Sequence, residues 1–492
     1  KWAIFDENGN MITKEWFDYV GPYGLVKGQS KYYIAVKDGK YAIFDIDGNM
    51  ITKEWFKFIF PQGLVEGTSQ YYIAEKNGKQ AIFDINGNRI SQWFDRIYSS
   101  ELVEGKSEYY IAEKDEKYAI FDKNGKMISP QWFDGIETDG LLKGKSDYYL
   151  AVSLKNRKSA IFDKDGNQIT PEWFDGIWLD GLVRGQSPYY RVINNGKQAI
   201  FDKDGRMITP GWCNRVEGDN FVRGESEYFI ANKDGKWAIF SKDGSQISDW
   251  YDWIEKYGLV KGQSNLYIAQ KDRKQAIFDK DGNRITDWFD EISFFGLVEG
   301  KSPYYIAKKD GKWAVFDKDG NRITDWFDII YSSGLVKGES DYYIANKDGK
   351  WAIFHKDGRQ VSERFDWIWE YGLVAGKSDY YLVKKDGKWA IFHKDGRMIT
   401  PDWFDYVSSD GLVEGESDYY IACNKKCAVY YKNGQKVSKD FSKKHLKDVY
   451  KIEFNENLGI VEIHGRETYS LDFNPVYPFK EEIIDYTKLL NI

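Results

Sequence analysis

The sequence predicts an all-β fold, built as a tandem array of short antiparallel sheets. Three observations lead to this prediction: an internal repeat, regularly placed Asp-Gly turns, and strands that are apolar on both faces. The repeat is marked by the Ala of "WAIF" and its variants, which recurs twelve times at intervals of 38 to 41 residues, at Ala3, Ala42, Ala81, Ala119, Ala160, Ala199, Ala238, Ala276, Ala314, Ala352, Ala390 and Ala428.

One unit, residues 296–333, shows the elements in order. It reads as four extended pieces, "GLVEG", "PYYIAK", "KWAVFD" and "NRITDWFDII", with "KDGK" and "KDGN" between the last three. Asp-Gly between β-forming residues predicts a tight hairpin, because Gly accepts the positive φ that such a turn requires. Each unit is therefore expected to form an antiparallel meander resembling the blade of a β-propeller.

The strands "YYIA" and "WAIF" lack the alternation of a sheet with one wet face, so each should lie between two other layers. A lone meander cannot bury both of its faces, and neighbouring units must cover them. Two architectures satisfy this requirement, namely a double β-propeller and an open β-superhelix or solenoid. The lack of any linker between units favours the superhelix, but the sequence leaves both open.

The array is assigned to residues 1–440, with a partial first copy, and residues 441–492 have a different composition. This tail contains "YKIEFNE", "GIVEIHG" and "TYSLDF", which predict three strands, and then "FKEEIIDYTKLLNI", which predicts a short helix. We expect the tail to be a small cap that hides the last exposed sheet face.

Composition excludes several classes of protein. Charged residues make up 30% of the chain with a net charge of −7, which gives no basic footprint for nucleic acid. No run of 18 apolar residues predicts a membrane span. The three cysteines exclude a disulfide-built scaffold. Cys213 replaces the usual Phe as a small core residue, while Cys423 and Cys427 are expected as two free thiols, with a cross-strand disulfide as the alternative.

The repeat "DGKWAIFDKDGN.IT..WFD.I...GLV.G.S.YYIA" resembles the WG (KWG) repeat of bacterial proteins, over residues 1 to about 440. Where that family has Gly after the aromatic residue, this chain has Ala, as in Ala42 and Ala238. The resemblance implies a β-repeat module without assigned chemistry. It also implies a bacterial protein that is secreted, at the cell surface or multidomain, so we expect a location outside the cytoplasm.

No motif in the sequence predicts catalysis. His445 and His464 lie in the tail without a Cys or carboxylate cluster at metal-ligand spacing. His355 and His393 are expected to be solvated substitutions at hairpin edges, with a metal or pH role as the alternative. Phosphate cradles, nucleophile elbows and zinc-protease helices are absent. We therefore expect neither an enzyme nor a cofactor. Asp279, Asp281 and Asn283 are a weak calcium candidate, although turn formation explains such residues more simply.

Two sets of residues are candidates for binding. The third residue after the Gly of "GLVxG" changes sign from unit to unit and should face solvent, which gives the basic candidates Lys27, Arg184, Arg223, Lys261 and Lys337. The segments between "WFD" and "GLV" vary most and should form loops at one edge of every unit. Their aromatic candidates are Tyr23, Trp178, Phe294, Phe295, Trp369 and Tyr371.

The recurring "WFD" is expected to bury its Phe and to cap a backbone donor with its Asp. Its Trp is expected in the core, with an exposed Trp row for sugars or partners as the alternative. The leading functional hypothesis is a non-catalytic scaffold that presents variable loops to a protein partner. The alternatives are a carbohydrate-binding surface protein and a regulatory or spacer module of a larger effector system.

Overall fold

A computed structural model describes residues 1–98, 101–293, 295–446, 449, 451–464 and 468–473. The chain divides into two compact units. The first is Lys1–Trp250 with Val260–Gly262, and the second is Tyr251–Leu259 with Gln263–Ile492.

The described residues of the first unit form eighteen strands, in six sheets of three. They are β1 Tyr19–Val20, β2 Tyr32–Lys37, β3 Lys40–Asp45, β4 Phe58–Ile59, β5 Tyr71–Lys76, β6 Lys79–Asp84, β7 Arg96–Tyr98, β8 Tyr109–Lys114, β9 Lys117–Asp122, β10 Gly135–Ile136, β11 Tyr148–Ser153, β12 Lys158–Asp163, β13 Gly176–Ile177, β14 Tyr189–Asn194, β15 Lys197–Asp202, β16 Arg215–Glu217, β17 Tyr228–Lys233 and β18 Lys236–Ser241.

The second unit contains eighteen more described strands. They are β19 Trp253–Ile254, β20 Leu266–Lys271, β21 Lys274–Asp279, β22 Glu291–Ile292, β23 Tyr304–Lys309, β24 Lys312–Asp317, β25 Ile329–Tyr331, β26 Tyr342–Lys347, β27 Lys350–His355, β28 Trp367–Ile368, β29 Tyr380–Lys385, β30 Lys388–His393, β31 Tyr406–Val407, β32 Tyr419–Cys423, β33 Cys427–Tyr431, β34 Lys451–Asn455, β35 Ile460–His464 and β36 Thr468–Asp472.

Helical structure is limited to single turns in the described residues. Two are short α-helices, α1 Asp219–Val222 and α2 Ser333–Lys337, and three are 3-10 turns, Gly24–Lys27, Leu141–Lys143 and Lys443–Leu446. Within the described part of the chain, no helix has the length and apolarity needed to cross a bilayer.

The predicted all-β tandem array is confirmed, with twelve three-stranded antiparallel sheets in chain order. Eleven are copies of the repeat and the twelfth, β34–β36, belongs to the tail. In each repeat the two long strands pair along their length around the central alanines, as in Ala35 opposite Ala42. The first copy contributes only paired segments, in which Trp2 lies opposite Phe17 and Phe5 opposite Met11.

The hairpin between the long strands is confirmed as a tight turn. Asp38 and Gly39, its central residues, have φ of 52° and 69°. Positive φ at both positions is the pattern of a type I′ turn, whose twist matches that of the flanking strands.

The expected strand at "GLVEG" is wrong, because this segment forms a helical turn such as Gly24–Lys27. Consecutive residues of a strand point to opposite faces, but Leu64 and Val65 both pack into the interface with the preceding sheet. The charged residue of "GLVxG" therefore lies on a helical turn, as Lys27 does at the end of Gly24–Lys27.

The expected fourth strand is divided between two sheets. Phe17 pairs with Trp2, which precedes it in the same copy of the repeat. Tyr19, two residues later, pairs with Val36 of the next repeat. The same exchange recurs along the array, as in Phe56 with Tyr41 and then Phe58 with Glu75. Within each unit, backbone pairing thus passes from one repeat to the next without a linker.

Neighbouring sheets cover each other, as the apolar strands predicted. Ile34 and Ile43 of one sheet pack into a cluster with Tyr72, Ala74 and Ala81 of the next. In the second unit Ile268 and Ile277 pack in the same way against the sheet that contains Tyr305. Alternate residues of each strand face opposite neighbours, so both faces are buried between layers.

The tail sheet covers the last repeat. Ile452, Val461 and Ile463 are fully buried in a cluster with Ile421 and Val429 of the last repeat sheet. The three tail strands predicted from the sequence are confirmed, whereas the predicted helix after Pro478 lies outside the described residues.

The cysteine expectations have mixed outcomes. Cys213 is a fully buried core residue, as predicted, and pairs across from Gln198. The expectation of two free thiols is wrong for Cys423 and Cys427, which form a disulfide. The hairpin register places these two residues directly opposite each other, so the side chains meet across the strands.

Candidate interaction surface

The "WFD" motif is a structural connection between repeats. Its Phe is buried, as in Phe17 and Phe94. Its Asp joins two hairpins: Asp290 accepts a hydrogen bond from the backbone N–H of Asp310 (2.7 Å) and pairs with the ammonium group of Lys274. The predicted burial of the Phe and capping by the Asp are both confirmed.

The Trp of "WFD" is mainly a core residue. Trp93 is half-buried, with its ring 6.0 Å from that of Phe83, and the guanidinium of Arg89 lies 5.8 Å from the Trp93 ring centroid. Trp16 is the exception, with 53% of its surface exposed. The structure therefore favours the core interpretation over a row of exposed ligand-binding tryptophans.

The "DKDGN" turn has local hydrogen bonds that account for its residues. Oδ1 of Asp279 accepts the backbone N–H groups of Asp281 (2.9 Å) and Asn283 (2.8 Å), and Oδ2 accepts the Asn283 side-chain amide (3.0 Å). This is the turn chemistry expected of Asp and Asn. Calcium binding by Asp279, Asp281 and Asn283 stays a weak prediction.

The two histidines at hairpin edges are less solvated than expected. The His355 and His393 side chains are about a fifth exposed, and each has Nδ1 2.9 Å from a carboxylate oxygen, of Asp357 and Asp395 respectively. Each imidazole also packs against a Tyr ring of the adjacent strand.

The aromatic loop candidates that the structure describes lie in the loops of different repeats, apart from Trp369 and Tyr371, which share one loop. Tyr23 lies beneath the ammonium group of Lys27, at 4.5 Å from the ring centroid. The rings of Trp369 and Tyr371 are 5.8 Å apart. Phe295 is exposed, and Phe294 lies outside the described residues.

Two basic candidates, Arg184 and Arg223, belong to one ion-pair network. Nε and Nη2 of Arg184 donate to Oδ2 of Asp139 (3.1 and 3.0 Å), and its Nη1 donates to Asp180. Nε and Nη2 of Arg223 donate to the other oxygen of Asp180 (3.1 and 2.9 Å). Lys143 adds a contact of 2.8 Å to Asp139. The network thus links the loops of three consecutive repeats.

Two further basic candidates, Lys261 and Lys337, lie in later repeats. Lys261 is half-buried, and Lys337 is an exposed residue at the end of α2.

The charges of the network act on its carboxyl groups. The hydrogen bond from Lys143, aided by that from Arg184, lowers the pKa of Asp139 to about 2. Burial raises the pKa of Asp180, but the guanidinium groups of Arg223 and Arg184 outweigh burial and leave it lowered. Both carboxyl groups are therefore ionised at neutral pH.

Arg191 was not predicted and completes the site. It stands in β14 where the other ten repeat sheets have Ile or Leu, and its side chain is only 14% exposed. Its Nη1 donates to the backbone oxygen of Val216 (3.1 Å), its Nη2 pairs with Asp219 (2.8 Å), and its guanidinium lies 4.1 Å from the Trp178 ring centroid. Burial lowers the pKa of Arg191, partly offset by the Asp219 charge.

We call Asp139, Trp178, Asp180, Arg184, Arg191, Asp219 and Arg223 the loop cluster. It brings together three of the predicted binding residues, Trp178, Arg184 and Arg223. The aspartates and Arg191 were missed. Arg191 could have been found, because it replaces an Ile or Leu that the other repeats share. The aspartates could not, because the sequence does not show which basic side chains their loops will meet.

Shallow grooves also lie on the array. One, of about 470 Å³, is at the hairpin end of a sheet, and another, of about 540 Å³, lies beside Gly338–Tyr342 and Gly376–Asp379. The first is lined by Glu54, Lys76, Asn77, Lys79, Phe83, Arg89 and Trp93.

Comparisons with known proteins give no family for the chain. No family model matches, and no curated protein matches.

Solved structures with low similarity include Hsv2 from Kluyveromyces lactis (10% identity, TM-score 0.22, 58% of this chain and 96% of that chain) and a variant of it with loop 6CD replaced by a Gly-Ser linker (12%, 0.23, 58% and 95%). A eukaryotic initiation factor matches at 10% identity and a TM-score of 0.24, over 76% of this chain and 96% of that chain. TM-scores this low carry no argument about architecture or function.

Proposed function

We propose that this chain is a non-catalytic scaffold that binds a protein partner through the variable loops of its repeats. The loop cluster is the observation that carries the proposal. Three consecutive repeats supply it, and it contains Arg191, which replaces the Ile or Leu of the other repeat sheets. Loops held on a rigid array are a usual place for recognition.

The chemistry of the loop cluster suits a protein surface. Arg and Trp are enriched at the centres of protein interfaces, because they combine large contact area with directed polar contacts. Arg184 and Arg223 are fixed by carboxylates at 38% and 44% side-chain exposure, so their orientation is set before a partner arrives. Preorganised side chains lose less conformational entropy on binding.

A capture experiment tests the proposal. The immobilised chain is incubated with native lysate of the source cells, and retained proteins are quantified by mass spectrometry. Arg223→Gln and Trp178→Ala are each expected to reduce retention of a specific partner at least about tenfold, as at interface hot spots. Arg157→Gln, an exposed substitution at the hairpin end of the same unit, is the matched control and should retain the partner fully.

Equal retention by all variants would contradict the role of the loop cluster. Retention of no partner by the unmodified chain would instead favour a spacer or regulatory module. The urea midpoint of each variant, measured beside that of the unmodified chain, identifies losses caused by unfolding.

Carbohydrate binding is the second candidate, and the Trp369–Tyr371 pair favours it. The two rings are adjacent, and Tyr371 is 46% exposed, which leaves a face on which a sugar ring could stack. A glycan array tests this function. Under our proposal it gives no saccharide-selective signal, whereas a selective signal that Tyr371→Ala abolishes would support the carbohydrate function.

A further inference from the structure

The tail sheet has one polar face, unlike the sheets of the repeats. Ile452, Val461 and Ile463 point into the core shared with the last repeat. Because side chains alternate along a strand, Glu453, Glu462 and His464 lie on the opposite face, away from the repeats.

Three potential metal ligands meet on this outer face. Glu453 and Glu462 are directly opposite each other in the register of β34 and β35. Nε2 of His464 lies 3.0 Å from Oε2 of Glu453 and 3.7 Å from Oε2 of Glu462. One ligand atom from each of the three residues lies within 4.8 Å of the others, and no other group of three His, Cys, Asp or Glu does so among the described residues.

The two carboxylates on this outer face favour a bound cation. Two like charges directly opposite on neighbouring strands destabilise a sheet. Lys451 pairs with Glu453 and so balances one of the two carboxylates. A divalent ion between the two carboxylates and the imidazole would balance both.

We propose that Glu453, Glu462 and His464 form a binding site for a divalent transition-metal ion, of which Zn²⁺ is the best representative. An imidazole nitrogen with two carboxylate oxygens suits Zn²⁺, whereas Mg²⁺ and Ca²⁺ prefer sites made only of oxygen. Small rotations of exposed Glu side chains suffice to reach the ligand distances of about 2.0–2.2 Å that Zn²⁺ requires. Bound metal would join β34 to β35 and stabilise the terminal sheet.

Zinc titration of the full chain, after removal of metal by a chelator, tests the site. A chromophoric competitor reports the affinity. We expect one Zn²⁺ per chain, with His464→Gln and Glu462→Gln each weakening binding at least about tenfold. His393→Gln is the matched control, because His393 also lies beside carboxylates but outside the site, and it should leave the affinity unchanged.

Lys451→Gln provides a test in the opposite direction. Removing the competing ammonium group from Glu453 should tighten zinc binding, a result that a merely structural role of these residues does not explain. Excess Mg²⁺ should not displace the zinc.

A measurement on the unmodified chain avoids any effect of substitution on folding. Diethyl pyrocarbonate modifies exposed imidazoles, and zinc should slow the modification of His464 but not of His355 or His393, as read by mass spectrometry. Zinc affinity unchanged in His464→Gln, no zinc binding at micromolar concentration, or an unaltered His464 modification rate would each overturn the proposal.

Discussion

At the scale of single residues, the hairpin turns show how the backbone selects side chains. Most copies place Gly at the second turn position, but "KDEK" and "KDRK" place Glu116 and Arg273 there, with φ of 58° and 62°. A non-glycine residue in this left-handed region destabilises the folded chain by about 1–2 kcal/mol. Glycine loses more conformational entropy on folding, and this opposing effect reduces the advantage of glycine at the position.

Arg273→Gly should therefore stabilise the chain, by about 0.5–1 kcal/mol after both effects are combined. The urea midpoint measures this. The reverse change in the next repeat, Gly311→Arg, is the matched control, because Gly311 has φ of 79° and no heavy atom near the position of a Cβ. It should lower the midpoint. A decrease in the Arg273→Gly variant would contradict the argument.

The aspartates of "WFD", and Asp366 at the same place in the variant "RFD", make the array sensitive to acid. The hydrogen bond from Lys350, followed by that from the Asp386 backbone, lowers the pKa of Asp366 below its usual 3.8. The hydrogen bond from Lys274 likewise lowers the pKa of Asp290. For Asp95, the hydrogen bond from the Asp115 backbone N–H, followed by that from Lys79, lowers the pKa. A lowered folded pKa gives stability that is present above the usual pKa and lost as the pH falls through the folded value.

The urea midpoint should therefore fall as the pH decreases from about 5 to about 3. Asp366→Asn should lower the midpoint at pH 7 and should weaken this pH dependence. Asp319→Asn, which alters an exposed carboxylate beside Lys318, is the control and should preserve both. A pH dependence equal in Asp366→Asn and the unmodified chain would contradict the assigned role.

At the scale of elements, the helical turn at "GLVxG" is fixed by close contact with the next repeat. Gly372 has φ of 79°, and a Cβ there would lie 2.4 Å from the Tyr380 oxygen and 2.8 Å from the Val413 oxygen of the next repeat. Only glycine permits both the positive φ and this approach of two backbones.

Two Gly→Ala changes in one repeat separate these requirements. Gly387, in the hairpin turn, has φ of 80° but open space around it, so Gly387→Ala should cost about 1 kcal/mol for backbone conformation alone. Gly372→Ala should lower the urea midpoint further, since the contact with the next repeat must also open. Equal effects would show that the close approach contributes nothing.

A second set of side chains joins the repeats at the loop edge. The hydroxyl of Ser69 donates to the Val103 backbone oxygen (2.6 Å) of the next repeat and accepts from its own Tyr71 N–H (3.1 Å). Ser264 does the same with Val298 and Leu266. Together with the "WFD" aspartates at the hairpin end, these contacts hold both ends of each sheet to its neighbour.

At the scale of the whole molecule, stability should be a sum over repeats and the interfaces between neighbours. The tail sheet contributes the last of these interfaces. Its removal exposes the fully buried Ile421 and Val429, together with the rest of that sheet face.

A chain that ends at residue 440 should therefore aggregate and unfold at lower urea concentration. Gel filtration and the urea midpoint measure both effects, with the intact chain as reference. A truncated chain that stays soluble, monomeric and equally stable would contradict the capping role of the tail.

Much of the fold was predictable because the same pattern of turns and apolar strands recurs in twelve copies. The Asp-Gly pairs predicted the positions of the hairpins. The strands that are apolar on both faces predicted that neighbouring sheets cover each sheet. The turn at "GLVxG" was not predictable in the same way, because a short apolar segment fits a strand or a helical turn equally well. The neighbouring repeat decides between them.

The candidate site was predictable only in part. Variable loop residues gave Trp178, Arg184 and Arg223, but their meeting depends on the register of three successive repeats. Arg191 broke a visible pattern, although its partners Trp178 and Asp219 come from different loops.

The sequence by itself determined the repeat length, the long strands, their hairpin and the burial of both faces, because turn chemistry and apolar pattern act locally. The tertiary structure alone decided which carboxylate meets which cation, that Cys423 bonds to Cys427, and that Glu453, Glu462 and His464 converge. Such contacts depend on positions in space that sequence spacing does not fix.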